Sequence, residues 1–119
     1  MTKSNQLIYK IVSRDQWSQA ESLGVFEGAA IDLQDGYIHF SDADQAEETV
    51  AKHFAGQSDL LLVAVETDTL GEDLKWEVSR GGALFPHLYS SMQVNSAVWV
   101  KELPLGEDGR HVFPENWNG

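Results

Sequence analysis

The sequence contains no cysteine among its 119 residues. A chain without thiols forms no disulfide, gives zinc no thiolate ligand and has no thiol nucleophile. Long apolar runs are missing too: the longest, Leu60 to Val65, has six residues, far fewer than the ~20 that a membrane-spanning helix needs. The segment from Met1 to Gln6 is polar and lacks the apolar stretch of a signal peptide. We therefore expect a soluble, cytoplasmic protein without a membrane partner.

Basic residues are scarce as well. Eight lysines and arginines stand against 19 aspartates and glutamates, which gives a net charge of −11. Proteins that hold nucleic acid usually neutralise its phosphates with a stripe of basic side chains, whereas here the basic residues are scattered singly. Glycine-rich phosphate loops of the P-loop or dinucleotide type are also absent. Nucleic acid is therefore not an expected partner, and the acidity is typical of a well-solvated surface.

The length and composition fit one small globular domain. Hydrophobic residues make up 42% of the chain and charged residues 23%, which is ordinary for a folded protein. We expect a single domain over residues 1–119, with a core from about residue 7 to 103 and a surface-packed coil from 104 to 119.

The hydrophobic pattern predicts more strands than helices. Strands are expected over 7–12, 37–40, 59–67, 74–79 and 94–103, and helices over 14–23 and 41–55. Ser13 and Gly24 are suited to begin and end the first helix, and Ser41 to cap the second. Residues 85–89 are predicted to form an irregular loop or a short helix. This order indicates an α+β fold, with an antiparallel or mixed sheet and two helices beside it.

In two of these strands the sequence also indicates which faces are buried. The segment 59–67 is apolar on both faces, which is typical of a central strand covered on both sides. In the segment 74–79, polar and apolar residues alternate, and the apolar set is expected to face the core. That set is Leu74, Trp76 and Val78.

The segment from Tyr37 to Ser41 contains the first candidate functional residue. A period of two puts Ile38 and Phe40 toward the core, and Tyr37, His39 and Ser41 on the opposite face. His39 then lies where a strand meets a helix, and the amides and positive dipole end of a helix favour an anionic ligand group. The alternative is architectural, with His39 as a structural hydrogen-bonding group and Ser41 only as a cap.

Glu77 is the second candidate, on the polar face of its predicted strand. Its carboxylate could act as a general base or stabilise a developing cation. The alternative is a solvated carboxylate that pairs with Lys75 or Arg80.

A third cluster runs from Arg80 to Tyr89. Gly81 and the glycine after it let a ligand approach the backbone closely, and Arg80 offers a fork for phosphate or carboxylate. His87 adds a proton-transfer group and Tyr89 an aromatic surface. An ordinary loop pinned by its aromatic residues and proline would explain the same pattern without a ligand.

Metal and serine-hydrolase chemistry have weaker support. The four histidines, His39, His53, His87 and His111, include no pair with the H-x-x-x-H spacing that fixes zinc on one helix, so no metal site is expected. Ser41 does not lie in a G-x-S-x-G elbow and is not expected to be a hydrolase nucleophile.

Five short segments resemble, in their order, the bacterial domain of unknown function 952 family. They are Gly36 to Ser41, Gln45, Leu60 to Val65, Leu74 to Glu77, and Phe85 to Tyr89. The resemblance extends over about residues 7–103, and the G-[FY]-I-H-x-S and F-P-H-L-Y motifs together make it specific.

The resemblance implies an ADP-ribosyltransferase-like fold, a split pair of small antiparallel sheets with a cleft between them. In such enzymes a histidine near the first cleft strand holds the adenine-side ribose, an aromatic ring stacks on nicotinamide, and a glutamate stabilises the oxocarbenium-like transition state. By position, His39 is similar to the ribose-binding histidine, whereas Glu77, His87 and Tyr89 are chemically suited to the other roles. Phe40 stands where many transferases have glycine, and the later strands contain no Q/E-x-E pair.

Three functions remain open on the sequence. The first is a pocket for NAD⁺ or another nucleotide, with ADP-ribosyl transfer or NAD⁺ hydrolysis as the most concrete activity. The second is a non-catalytic module for a small anionic metabolite or a protein, and the third is a purely architectural role for the histidines. Under the first, the catalytic candidates are His39, Glu77 and His87, and the ligand-binding candidates are Tyr37, Ser41, Arg80, Gly81 and Tyr89.

Overall fold

Eight strands and four α-helices make up the part of the chain that the structure describes. The computed structural model covers residues 6–118, with the side chain of Arg80 outside that description. In chain order the elements are β1 (Leu7–Ser13), α1 (Arg14–Leu23), β2 (Val25–Phe26), α2 (Ala30–Asp35), β3 (Ile38–His39), α3 (Ala46–His53), β4 (Leu60–Glu66), α4 (Thr67–Leu70), β5 (Leu74–Val78), β6 (Leu84–Leu88), β7 (Met92–Gln93) and β8 (Ala97–Leu103). Single 3₁₀ turns lie at Gly71–Asp73, Arg80–Gly82 and Val94–Ser96. No helix within residues 6–118 is both long and apolar enough to cross a membrane.

The first sheet has the strand order β1-β4-β8, and all of its strands run antiparallel. Its central strand, β4, is buried from Leu60 to Val65, which confirms the strand predicted to be covered on both sides. Because successive side chains point to opposite faces, β4 contributes to two separate core clusters. Leu61, Val63 and Val65 join side chains from α1, β2, β3 and β7, whereas Leu60, Leu62 and Ala64 join side chains from α3 and the C-terminal tail.

The second sheet has the strand order β3-β6-β5, and β2 pairs with β7 in a third, two-stranded sheet. These ladders are antiparallel too, so the fold is α+β with small antiparallel sheets, as expected. Two backbone hydrogen bonds connect the first sheet to the chain just after β3. The Tyr9 amide donates to the Ser41 carbonyl at 2.8 Å, and the Ser41 amide donates to the Tyr9 carbonyl at 2.9 Å.

The first helix forms where the sequence predicts it. The Ser13 hydroxyl accepts the Gln16 amide at 3.1 Å, which satisfies one of the amides that the first turn leaves unpaired. Gly24 ends the helix with a φ of 85°, a left-handed conformation that costs glycine little, and its amide donates to Ala20.

The prediction of an irregular loop or short helix over 85–89 is wrong for residues 85–88, which belong to β6, the centre of the second sheet. Pro86 argues locally against a strand here, since proline has no amide hydrogen to donate and is rare in central strands. In this sheet Pro86 contributes through its carbonyl, which accepts the Phe40 amide at 3.0 Å.

The second predicted helix begins later and ends earlier than 41–55. α3 starts at Ala46, and Ser41 pairs with β1 instead of capping a helix. The Asp42 carboxylate, not the Ser41 hydroxyl, accepts the amides of Asp44 at 2.9 Å and Gln45 at 3.0 Å. A short acceptor at position 42 therefore organises the turn that leads into α3.

Other differences concern short or peripheral elements. Val78 is 69% exposed rather than core-facing, because it ends the edge strand β5 opposite Leu84, which is itself exposed. The helices α2 and α4 were not predicted, since six and four residues are too few for a clear helical period. The predicted strands 37–40 and 94–103 are shortened to β3 and β8.

The tail after β8 is mostly irregular, as expected, but its end is part of the core. Trp117 is buried in the second core cluster, and its ring lies edge-on to Tyr9 with 4.9 Å between ring centroids. The Tyr9 hydroxyl donates to the Trp117 carbonyl at 3.3 Å. The tail thus packs against the same strand, β1, that connects the first two sheets.

We expect Trp117→Ala to lower the free energy of unfolding by about 3 kcal/mol, because truncation removes a large buried ring and leaves a cavity. Urea denaturation followed by circular dichroism measures this change. Val112→Ala, in the same tail at a side chain that is 52% exposed, is the control and should change stability by less than about 0.5 kcal/mol. Equal effects from the two variants would contradict a structural role for Trp117.

Candidate functional site

A cleft of about 710 Å³ is lined by residues from β1, α2, β3, α3, β6 and the turn before β6. This volume lies in the range of small-molecule sites, which is about 300–1,000 Å³. The cleft is positioned by the connection between β1 and the chain after β3, and by Gln45, whose side-chain amide donates to the Leu84 carbonyl at 2.7 Å. That bond ties the turn before α3 to the start of β6.

The cleft contains most of the residues singled out from the sequence. Tyr37, His39, Ser41, Gly81 and His87 all line it. Hence His39 and the segment 79–87 share one opening, and the register pairs His39 directly with His87. The Arg80 side chain lies outside the described part of the chain.

Two other predicted residues, Glu77 and Tyr89, are not part of the cleft wall but contact it through His87. Glu77 Oε1 lies 2.9 Å from His87 Nδ1, and the Tyr89 hydroxyl donates to the same oxygen at 2.7 Å. These hydrogen bonds lower the pKa of Glu77, the Tyr89 bond more than the His87 bond. The bond to Glu77 also raises the pKa of Tyr89 to about 12.

His87 is held in one orientation by this contact. Its side chain is 3% exposed, and Glu77 engages Nδ1, which leaves Nε2 as the ring nitrogen for a ligand or solvent. A carboxylate on one nitrogen fixes the tautomer and orientation of the ring, a common arrangement for histidines that transfer protons.

Asp32 is the centre of a second, deeper cluster that the sequence did not indicate. Its side chain is fully buried, and its Oδ1 accepts the His39 amide at 3.1 Å and lies 2.6 Å from His39 Nδ1. Oδ2 accepts the Ala29 amide at 2.7 Å, which organises the first turn of α2. Lys10 Nζ lies 2.9 Å from Oδ2 and also donates to the His39 carbonyl at 2.9 Å.

The electrostatics of this cluster follow from burial and pairing. Burial lowers the pKa of Lys10, although the charge of Asp32 and its hydrogen bond act in the opposite direction. Burial alone would raise the pKa of Asp32, but the bonds from His39, Lys10 and Ala29 outweigh it and lower the pKa to about 2. Asp32 is therefore an ionised carboxylate inside the protein, compensated by the ammonium of Lys10.

His39 is bound at both ring nitrogens. Nδ1 faces Asp32, and Nε2 lies 3.0 Å from Oδ2 of Asp35. Ionised carboxylates only accept hydrogen bonds, so both contacts are hydrogen bonds when the ring has a hydrogen on each nitrogen. In this arrangement His39 is a positioned hydrogen-bond donor, and both of its ring nitrogens already have carboxylate partners.

Tyr37 lies among the rings of both histidine clusters. Its ring centroid is 4.7 Å from that of His39, 4.2 Å from that of His87 and 5.1 Å from that of Tyr89. The rings of His39 and His87 are 5.4 Å apart. Tyr37 thus forms an aromatic surface that joins the two histidines at the cleft, an arrangement suited to stacking against a flat ligand.

Ser41 is placed as a structural residue rather than a nucleophile. Its side chain is buried, and its hydroxyl lies 2.9 Å from that of Thr49 on α3. Within residues 6–118 no group of three or more histidine, aspartate or glutamate side chains is arranged to hold a metal ion.

Three charged residues of the site were missed: Lys10, Asp32 and Asp35. Lys10 did provide a signal, because it interrupts a strand whose neighbours Tyr9 and Ile11 are buried, and a buried ammonium requires a counter-charge. The partner was not identifiable, since Asp32 is 22 residues away in an element too short to predict.

Comparison with known proteins places these features in a family. The family model described as "Protein of unknown function (DUF952)" matches residues 11–100. The crystal structure of protein CC0527 from Caulobacter crescentus is 55% identical, with a TM-score of 0.86, and the alignment covers 89% of this chain and 93% of that one. The solution NMR structure of CC0527 is 56% identical, with a TM-score of 0.79 and coverage of 87% and 90%. None of the curated proteins matches the chain.

We expect Asp32→Asn to destabilise the protein by about 3–5 kcal/mol at neutral pH, because it leaves the Lys10 ammonium buried without a counter-charge. The folded pKa of about 2 lies below the ordinary value of 3.8, so the contribution of Asp32 to stability is nearly complete at pH 5 and is lost as the pH falls toward 2. The difference between wild type and variant should therefore shrink by about 2 kcal/mol from pH 5 to pH 2. Urea denaturation at each pH measures it.

The exposed Asp15→Asn is the matched control for the change of side chain, and its effect on stability should be small at each pH. A difference between wild type and Asp32→Asn that stays constant from pH 5 to pH 2 would contradict the depressed pKa.

We expect Tyr89→Phe to raise the pKa of Glu77 toward its ordinary value, because the variant removes the hydrogen bond that contributes most to the lowered pKa. Carboxyl-detected NMR titration of Glu77 measures the change. Tyr37→Phe retains the neighbouring ring and should leave the Glu77 pKa unchanged. Identical titration curves for wild type and Tyr89→Phe would contradict the assignment.

Proposed function

The chain belongs to the DUF952 family, whose description assigns no function, and from that premise we propose that its cleft binds a nucleotide-type small molecule. NAD⁺ is the most concrete ligand, and transfer of its ADP-ribosyl group to an acceptor, or its hydrolysis, is the most concrete activity. The proposal includes an ADP-ribosyltransferase-like relationship of the fold, for which the small split antiparallel sheets beside the cleft are the support.

One observation carries the proposal: two differently restrained histidines stand side by side on one sheet at the mouth of a ligand-sized cleft. His39 is held by carboxylates at both nitrogens, whereas the carboxylate contact of His87 with the described part of the chain is at Nδ1 alone. Pairs of titratable groups whose surroundings give them different roles are typical of acid–base sites. Tyr37 between them offers a stacking surface for a base or a nicotinamide ring.

In the hydrolytic version, the bond between C1′ of the ribose and the nicotinamide nitrogen breaks, and its electron pair neutralises the pyridinium ring. Water attacks C1′ and loses a proton to Nε2 of His87, which later releases it to solvent. The products are ADP-ribose, nicotinamide and a proton. In the transfer version, a hydroxyl or other nucleophile of an acceptor takes the place of water.

Glu77 has a different role here from the one expected from the resemblance. Its carboxylate is hydrogen-bonded to His87 and Tyr89, so we propose it as a positioning residue that orients His87. We propose that His39 positions the ligand rather than transferring protons, because both of its ring nitrogens already have carboxylate partners.

The same restraint on His39 supports a second candidate, a non-catalytic binding module. A histidine held at both nitrogens is better suited to attract and orient an acceptor group than to cycle protons. In that version the cleft binds a small anionic metabolite without chemical change.

The test is incubation with millimolar NAD⁺, with nicotinamide release measured by chromatography and ligand binding measured by the shift in Tm. We expect release by the wild type, strong loss of release in His87→Gln, and a rise in Tm of several degrees in both. His111→Gln, a histidine outside the cleft wall, is the control and should retain release.

The two readouts separate the candidates. A rise in Tm without nicotinamide release by the wild type would favour the binding module over the enzyme. Neither release nor a rise in Tm at millimolar NAD⁺ would remove NAD⁺ as the ligand.

A further inference from the structure

We propose that Asp35 is an internal counterion at an anion subsite centred on His39, and that an anionic oxygen of a ligand replaces its carboxylate at Nε2. This inference rests on the proposal that the cleft is a ligand site, but not on NAD⁺ as the ligand or on any reaction. It identifies the ligand class as a small molecule with a phosphate or carboxylate group.

The two carboxylates that contact His39 differ sharply in exposure. The side chain of Asp32 is fully buried, whereas that of Asp35 is 37% exposed and lines the cleft. Asp32 also accepts hydrogen bonds from Ala29 and Lys10, and it cannot leave without stranding the buried ammonium. Among the side chains that the structure describes, His39 is the one that holds the Asp35 carboxylate, so Asp35 is the one of the two that a ligand can displace.

The charges favour an anion once Asp35 moves away. Lys10 and Asp32 neutralise each other, and a His39 ring with hydrogens on both nitrogens adds one positive charge that Asp35 balances. Nearby on α3, the charges of Lys52 and Glu48 are already paired at 2.6 Å. Displacement of Asp35 therefore leaves a net positive group at the cleft, aimed by a donor that Asp32 holds in place.

The position of Asp35 in the chain allows this displacement. Asp35 is the last residue of α2, and Gly36 follows with a φ of 89°, which ends the helix. Movement of this side chain leaves the hydrogen bonds from the Ala29 and His39 amides to Asp32 in place, because Asp35 takes part in neither.

The experiment titrates wild type and Asp35→Asn with inorganic phosphate and, separately, with acetate, at constant ionic strength. Binding is followed by two-dimensional NMR of the His39 ring and by the shift in Tm. We expect Asp35→Asn to bind at least one of the two anions about tenfold more tightly than wild type, since one charged competitor for the His39 donor is removed. The anion with the larger gain identifies the phosphate or carboxylate source.

The matched control is Asp15→Asn, which makes the same charge change on the exposed surface of α1 and away from the cleft. It should leave both affinities unchanged, and the double variant Asp35→Asn/His39→Gln should lose the gain. Equal affinities for wild type and Asp35→Asn, or the same gain in Asp15→Asn, would overturn the proposal. So would a bound state in which His39 Nε2 has no hydrogen by ¹⁵N NMR. This test does not measure nicotinamide release, so the anion titration can be interpreted even if the wild type releases no nicotinamide.

Discussion

The arrangement of the cleft depends on one buried carboxylate. Asp32 accepts hydrogen bonds from the amide that opens α2, from the backbone and ring of His39, and from the ammonium of Lys10 on β1. The strand β1 therefore meets α2 and β3, which follow each other closely in the chain, at these two oxygen atoms. Gly28 leaves space for this cluster of hydrogen bonds. A side chain at position 28 would place its Cβ 2.8 Å from the Cβ of Asp32, and the φ of 118° at Gly28 disfavours other residues.

This constraint explains why the site was only half predictable from the sequence. The face of the strand around His39 follows from a period of two, so Ile38 and Phe40 in the core and His39 at the cleft could be foreseen. The partners of His39 could not, because no local pattern relates Lys10 to a helix of six residues that lies 20 positions further on.

The fold shows the same division between local and non-local information. The first helix, with Ser13 and Gly24 at its ends, and the doubly covered strand β4 depend on local sequence, and both were predicted. β6 was missed because the pairing partners of a strand are set by tertiary structure, and Pro86 argues locally against a central position. The same error hid the register that puts His87 opposite His39.

The two histidines illustrate how identical side chains acquire different chemistry from their neighbours. Carboxylate contacts at both nitrogens make one a fixed donor, whereas the other is held by Glu77 at Nδ1, with Nε2 on the opposite side of its ring. Side-chain identity alone would have assigned both to proton transfer. Their distinction arises from Asp32 and Asp35 on α2 and from Glu77 on β5, that is, from the strand and helix packed on either side.

The position of Tyr9 has a practical consequence for work with this protein. Tyr9 lines the cleft and pairs with Ser41, and its ring packs against that of Trp117 near the C-terminal end. An affinity tag or fusion partner joined after Trp117 pulls on a residue that is seated against the wall of the cleft. Purification handles and reporter fusions are therefore better separated from Trp117 by a linker, so that its contact with Tyr9 is kept.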